Sequence, residues 1–197
     1  MRANTATILI AFLSVGITHM AEAIEEPSYQ TLKRFEAVEI RHYQPVIQAV
    51  TRLPADAREG RGFRRLAGFI FGGNNTGQSI AMTAPVQETL ADSGLEMAFT
   101  MPSQYQMDDL PRPDDPTVEL QAVDERTVAV IQFSGWATDS KVEKYRARLE
   151  QQLSSRSIPL AGPWLLNQYN PPWTLPFMRR NEIWIEVDWP GERTASR

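Results

Sequence analysis

Gly62-Phe63-Arg64-Arg65-Leu66-Ala67-Gly68-Phe69-Ile70-Phe71-Gly72 decides the first half of this chain. Phe63, Leu66, Ala67 and Ile70 recur at i, i+3, i+4 and i+7, so they share one apolar face of a helix. Arg61, Arg64, Arg65 and Gly68 lie off that face. Pro54 and Asp56 provide the helix entry, and Gly72-Gly73-Asn74-Asn75 ends it near Phe71. Upstream, Tyr29 to Phe35 and Ala37 to Tyr43 read as extended. Val38-Glu39-Ile40-Arg41 alternates with the two-residue period of a half-buried strand. Pro45 interrupts, and the β-branched stretch Val46 to Thr51 forms a further strand. Downstream, Ser79 to Leu90 and Leu95 to Met101 form a strand pair about an Asp92-Ser93-Gly94 turn.

The second half repeats the order. Val118 to Val123 and Thr127 to Phe133 are strands. A helix follows from Asp139 to about Ser155, capped by Thr138 or Asp139, with Val142, Tyr145, Leu149 and Leu153 as its apolar stripe. Trp164 to Tyr169 and Asn181 to Asp188 close the domain. The expected fold is α/β (α+β), with strand-strand-helix-strand-strand occurring twice as a pseudo-twofold repeat. Two helices would cover a curved, mostly antiparallel sheet or distorted barrel, with a cleft between the halves. Pro102 to Pro116, with four prolines and four aspartates, reads as a polar, extended connector. Its aspartates lack the spacing and central glycine of a calcium loop.

The ends have their own logic. Arg2, the apolar run from Ala6 to Ile17 and Ala21-Glu22-Ala23 make a signal peptide over 1–23, too short for a stop-transfer span. The expectation is one domain over 24–190, with halves at about 28–101 and 117–188, a flexible tail over 191–197, and a periplasmic or secreted location. The net charge is −4, without the basic stripe of a nucleic-acid surface. No later stretch could insert stably in a membrane after signal removal. The absence of cysteine excludes disulfides, thiolate chemistry, iron–sulfur clusters and cysteine-type zinc sites. Once His19 is removed with the signal, only His42 remains, which excludes multi-histidine metal centres. No acid–base pair stands at a recognisable spacing and no G-x-S-x-G occurs, so the chain does not read as an enzyme.

Several segments in one order carry a resemblance. They are Ser28-Tyr29, Glu39-Ile40-Arg41-His42-Tyr43, Gly62 to Gly72 and Met82-Thr83-Ala84-Pro85-Val86. Met101-Pro102, Gln168-Tyr169-Asn170-Pro171-Pro172 and Arg180-Asn181-Glu182-Ile183-Trp184 complete the set. Over Pro27 to Val187 the chain resembles the SOUL haem-binding family, here as a bacterial, exported member. The resemblance implies a fold similar to bacterial effector-binding domains. It also implies non-covalent binding of haem or another porphyrin, as carrier or scavenger, with no chemistry on the ligand. A porphyrin needs an apolar surface, cations for its propionates and optionally an axial ligand. The carry-over places the haem surface on Arg61, Arg64, Arg65 and Gly68 of the helix and on Leu175, Phe177, Met178 and Arg179 of the loop before the last strand.

Two readings stay open at His42: an axial haem ligand, as the family's Glu-Ile-Arg-His-Tyr segment implies, or a strand-end residue with a local hydrogen bond. The arginines equally suit a solvated helix face. Met82, Met97, Met101, Met107 and Met178 are possible soft ligands, although core methionine usually serves packing. Arg180, Asn181 and Glu182 read as a buried pairing that fixes the last strand. Thr83 reads as a hydroxyl satisfying a backbone group near Pro85. The alternative function is a binding module for another apolar or cationic small molecule, which a buried acid in the cleft would favour. A tetrapyrrole-modifying enzyme, revived by perturbed carboxylates there, ranks below it. The protein partner and oligomeric state are not legible.

Overall fold

The computed structural model describes residues 24–54, 59–91 and 94–190. The expected signal peptide and tail lie outside these residues. The elements are β1 (Tyr29–Phe35), β2 (Val38–Tyr43), β3 (Val46–Leu53), α1 (Glu59–Ile70), β4 (Val86–Ala91) and β5 (Gly94–Thr100), followed by β6 (Val118–Val123), β7 (Arg126–Phe133), α2 (Asp139–Ser154), β8 (Leu160–Gln168) and β9 (Asn181–Val187). All nine strands form one antiparallel sheet in the order β1-β2-β7-β9-β8-β4-β5-β3-β6. Without β1, the order maps onto itself when the halves are exchanged. The pseudo-twofold axis therefore passes between β8 and β4, and β1 is an addition at one edge.

The halves are not separate in space. β2 pairs with β7 of the second half, and β6 with β3 of the first. One face of the sheet carries both helices. Under α2, the cross-strand row Val38, Ile131, Ile183 and Leu166 packs with Leu149 and Leu153. Under α1, Ala49, Met97, Phe99 and Val118 pack with Leu66, Phe69 and Ile70. The other face carries Tyr43, Val128, Val130, Leu165 and Trp184. The central run Val128-Ala129-Val130-Ile131 is consequently buried on both faces, which suits its β-branched composition.

Helix α1 stops where expected. Gly72 takes φ +105°, and the Gly73 amide donates to Gly68 O at 2.8 Å. A Cβ on Gly73 would lie 2.7 Å from that same oxygen, so only glycine fits the turn. Thr138 caps α2.

The starts of two strands and the character of the connector differ from the sequence reading. β4 begins at Val86, not Ser79, because Pro85 has no amide to extend the ladder. The Thr83 hydroxyl instead donates to Thr100 O. β8 begins at Leu160, with a register shift before Trp164. The connector is packed rather than merely extended: Leu110 and Pro111 are buried. Arg112 and Asp114 exchange backbone hydrogen bonds with Asn75 and Gly73 just after α1, and Met107–Asp109 forms a 3-10 turn.

Candidate functional site

At the pseudo-twofold axis the two helices stand apart over the sheet and leave an open cleft of about 570 Å³. Gly60 and Phe63 of α1 form one wall, and Trp136, Ala137 and Thr138 ahead of α2 form the other. Val86, Glu88, Met97 and Gln168 make the floor, and Asn170, Pro172 and Arg179 close one end. These positions follow from strand register. Gln168 pairs with Val86, which pairs with Phe99, so one face of β8, β4 and β5 is presented to the gap. Phe63 is 38 % exposed and meets Phe99 edge-on at 5.4 Å between ring centres. A side chain on Gly60 would meet nothing within 4 Å.

Two charged side chains, Glu88 and Arg179, line the cleft. Glu88 is buried and accepts a hydrogen bond from Gln168 Nε2 at 3.1 Å. Arg179 is buried with its guanidinium 3.8 Å from the ring centre of Trp136. Its Nε donates to Thr174 O at 3.0 Å and its Nη2 to Pro172 O. Arg179 therefore shapes the loop while placing a positive charge at the cleft end.

The expected haem residues occupy four places, His42 standing apart from the rest. Arg179 is in the cleft, and Leu175, Phe177 and Met178 are exposed on the loop beyond it. Arg61, Arg64, Arg65 and Gly68 line a separate groove of about 350 Å³ that they share with Asp114 and Asp115. Hydrogen bonds from the Thr117 hydroxyl and amide hold the Asp115 carboxyl below its ordinary pKa. That groove thus offers an anion a mixed field rather than a cationic one. Arg64 and Arg65 also donate to Gly60 O and Thr51 Oγ1.

His42 lies on β2 beside Thr127 of β7, with Nδ1 3.1 Å from Thr127 Oγ1 and Nε2 3.6 Å from Glu125 Oε2. It is not among the residues lining the cleft. Of the methionines, Met97 is on the cleft floor, Met82 and Met101 pack with α1, and Met107 and Met178 are exposed. No group of three or more histidine, aspartate or glutamate side chains forms a metal site among the described residues. Trp136 and Glu88 were not anticipated. An aromatic directly ahead of a helix cap was a usable signal for Trp136; Glu88 is one polar residue in an alternating strand and gave none.

The opposite face of the sheet holds a buried charge network. Glu182 is fully buried and its Oε2 accepts from Arg41 Nη1 (3.0 Å), Tyr169 OH (2.8 Å) and Trp184 Nε1 (2.7 Å). Its Oε1 accepts from Arg180 Nε at 3.0 Å. Burial alone would lower the Arg41 pKa, but the Glu182 charge, helped by Tyr43 and Glu39, outweighs it and the net shift is upward. Arg180 behaves likewise. Arg180 also reaches Glu26, and its amide donates to Asn170 Oδ1 at 2.6 Å. The buried pairing fixes the start of β9, as the reading of Arg180 to Glu182 expected, and through Asn170 it also ties down the base of the cleft-end loop.

Burial and the Glu182 charge raise the Tyr169 phenol, and burial, partly offset by Arg41, raises Tyr43. A phenol raised on folding leaves stability intact below its unfolded pKa of about 10 and erodes it as pH climbs above that value. The expected outcome is a fall in the unfolding midpoint on raising pH through that range. Tyr43→Phe and Tyr169→Phe, compared by denaturant titration at each pH, should flatten the fall.

The comparisons with known proteins agree with this architecture. Residues 24–186 match the family model described as SOUL heme-binding protein. Heme-binding protein 2 of Mus musculus is 29 % identical over 184 residues, covering 83 % of this chain and 86 % of that protein. Heme-binding protein 1 of Xenopus laevis is 28 % identical over 159 residues, covering 76 % and 83 %. The EcmrR C-terminal domain shares the fold, with a TM-score of 0.58 at 11 % identity over 81 % of this chain and 98 % of that one. From residue 24 to residue 186, therefore, this chain belongs to the SOUL haem-binding protein family.

Proposed function

We propose that the chain binds haem or a related porphyrin non-covalently in the interhelical cleft, as a carrier or scavenger and not as an enzyme. The observation that carries this is the cleft itself, whose volume lies within the usual range for small-molecule sites. Phe63, Val86, Met97 and Trp136 supply apolar surface for a flat macrocycle, and Arg179 supplies a cation for a propionate. The residues present fit the group. A bound porphyrin would bring its own iron chemistry, while the protein's part is to exclude water from the ring and hold its acidic edge.

The test is a haem titration of the full chain followed at the Soret band. Saturation at one haem per chain supports the reading; a change that grows without saturating refutes it. In this reading His42 does not reach the iron, so His42→Ala should bind haem with an unchanged Soret spectrum. A lost low-spin signal in that variant would move the site to β2. The export expected from Ala21-Glu22-Ala23 belongs to the same proposal, and amino-terminal sequencing of the protein from its native compartment should begin at Ile24.

One observation favours a second reading, an apolar cation as ligand: Glu88 is a buried acid in the cleft floor. A cationic aromatic dye such as crystal violet would then bind competitively with haem, and Glu88→Gln would weaken the dye and not haem.

A further inference from the structure

The sheet face away from the helices encloses a second space. β2 joins β3 through Gln44-Pro45, and β6 joins β7 through Asp124-Glu125. In the sheet order the members of each pair stand six strand spacings apart, about 29 Å if the sheet were flat. Two linking residues span only about 10 Å, so the sheet must roll until its two ends approach each other. The face without helices is the inside of that roll. Arg126 of β7 crosses it to Gln87 of β4, Nη2 to Oε1 at 3.2 Å, although β9 and β8 separate these strands in the sheet.

At the mouth of the roll, beside the two short connections, lies a recess of about 10 Å³, room for one particle near the size of water. Arg126, Gln48 and Gln87 line it, with Tyr43 and Trp184 as aromatic walls. Through the shared residues Pro27, Thr100 and Val123 it adjoins a chamber of about 480 Å³, which extends to the exposed Ser103 and Met107 and gives a path inward. The recess shares no residue with the interhelical cleft.

The polar groups inside the roll outnumber their partners. Gln48 is 5 % exposed and its side chain forms no hydrogen bond among the described residues. Gln87 is 7 % exposed and spends its Oε1 on Arg126, which leaves its amide nitrogen unpaired among the described residues. Beside Gln87 in register, Asn167 is fully buried and neither polar atom of its side chain has a partner. Unmet polar groups in a protein interior are costly. Arg126 forms no ion pair among the described residues. Burial pulls its pKa down, and the Glu186 charge, with Tyr43, only partly offsets this. A guanidinium and two carboxamides around a space one atom wide supply N–H donors and a positive charge to a bound anion.

Size and charge narrow the ion. A space for one particle is too small for sulfate, phosphate or a carboxylate group. The acids of the chamber act in the same direction. Glu25 accepts from the Ser103 amide and Glu26 pairs with Arg180, while Asp124 stands exposed at the rim of both spaces. Their repulsion grows with the charge of an entering anion, so a singly charged ion is favoured. We propose that the recess binds one halide ion, chloride in ordinary media, on Arg126 with Gln87 and Gln48. The ion ties β7 to β4 and β3 across the inside of the roll. This site is independent of the porphyrin reading.

The test follows the thermal midpoint of the full chain in sodium chloride against sodium gluconate at one ionic strength. Chloride at ten times its dissociation constant should raise the midpoint by about 3–6 °C. Arg126→Met should abolish the rise. Gln48→Leu keeps every charge and should need severalfold more chloride for the same rise; it carries the test if Arg126→Met does not fold. Bromide should replace chloride, and its anomalous diffraction signal in crystals of the protein should fall beside Arg126. An equal rise in gluconate, or a rise unchanged in Gln48→Leu, is a general salt effect and would overturn the proposal. The absence of any rise would overturn it too, because water then fills the recess. So would a bromide signal at Arg126 without a chloride-dependent midpoint, which marks an adventitious ion only.

Discussion

Glu182→Ala should destabilise the domain by roughly 3–5 kcal/mol, the cost of breaking a buried ion pair from one side. The carboxylate is completely buried and accepts four side-chain hydrogen bonds, from Arg41 of β2, Trp184 of β9, and Tyr169 and Arg180 at the two ends of the segment between β8 and β9. Removing it leaves the Arg41 guanidinium buried without its interstrand partner and strips Tyr169 and Trp184 of their acceptor. For a domain of this size the loss corresponds to a drop of about 10 °C in the thermal midpoint. Glu182→Gln keeps an acceptor oxygen but not the charge, and should fall between parent and alanine variant. Differential scanning calorimetry decides it. A shift of under about 1 kcal/mol for Glu182→Ala, the usual worth of a surface pair, would mean that water enters this face and the pair is solvated.

Gly60→Trp should weaken haem binding at least about tenfold, that is by about 1.4 kcal/mol or more, while Gly68→Trp should leave it intact. Both glycines lie in α1 and at both an added Cβ meets nothing within 4 Å, so neither change displaces the core. Both also remove a helical glycine, which favours folding slightly. They differ in where the indole goes. Gly60 lines the interhelical cleft, and Gly68 lines the groove of Arg61, Arg64 and Arg65. The pair therefore compares the two faces of one helix at equal cost to the fold. The reverse result would return the porphyrin to the arginine face. Equal affinity in both variants would remove it from α1 altogether.

The Gly68 comparison also shows how far the sequence could be read. Helical period correctly separated the buried Leu66 and Ile70 from Arg61, Arg64, Arg65 and Gly68. It could not show that Asp114 and Asp115 lie across from those arginines, because the connector is drawn there by backbone bonds to Gly73 and Asn75. Phe63 was legible as apolar, yet its partial exposure at a cleft depends on the position of α2. Glu182 was legible as a charge entering a strand, but its partner Arg41 lies 141 positions away.

Alternation, helix period, proline breaks and the paired glycines after α1 are set by the backbone and by side chains within a turn or two, so the sequence alone determined the elements, most of their limits and the family they compose. Strand order was beyond it. The exchange of β2 and β6 between halves, and the gap left where the helices straddle β8 and β4, arise from pairing and packing between segments far apart in the chain. Those contacts are selected by the burial of whole faces, a property that no local stretch of residues carries.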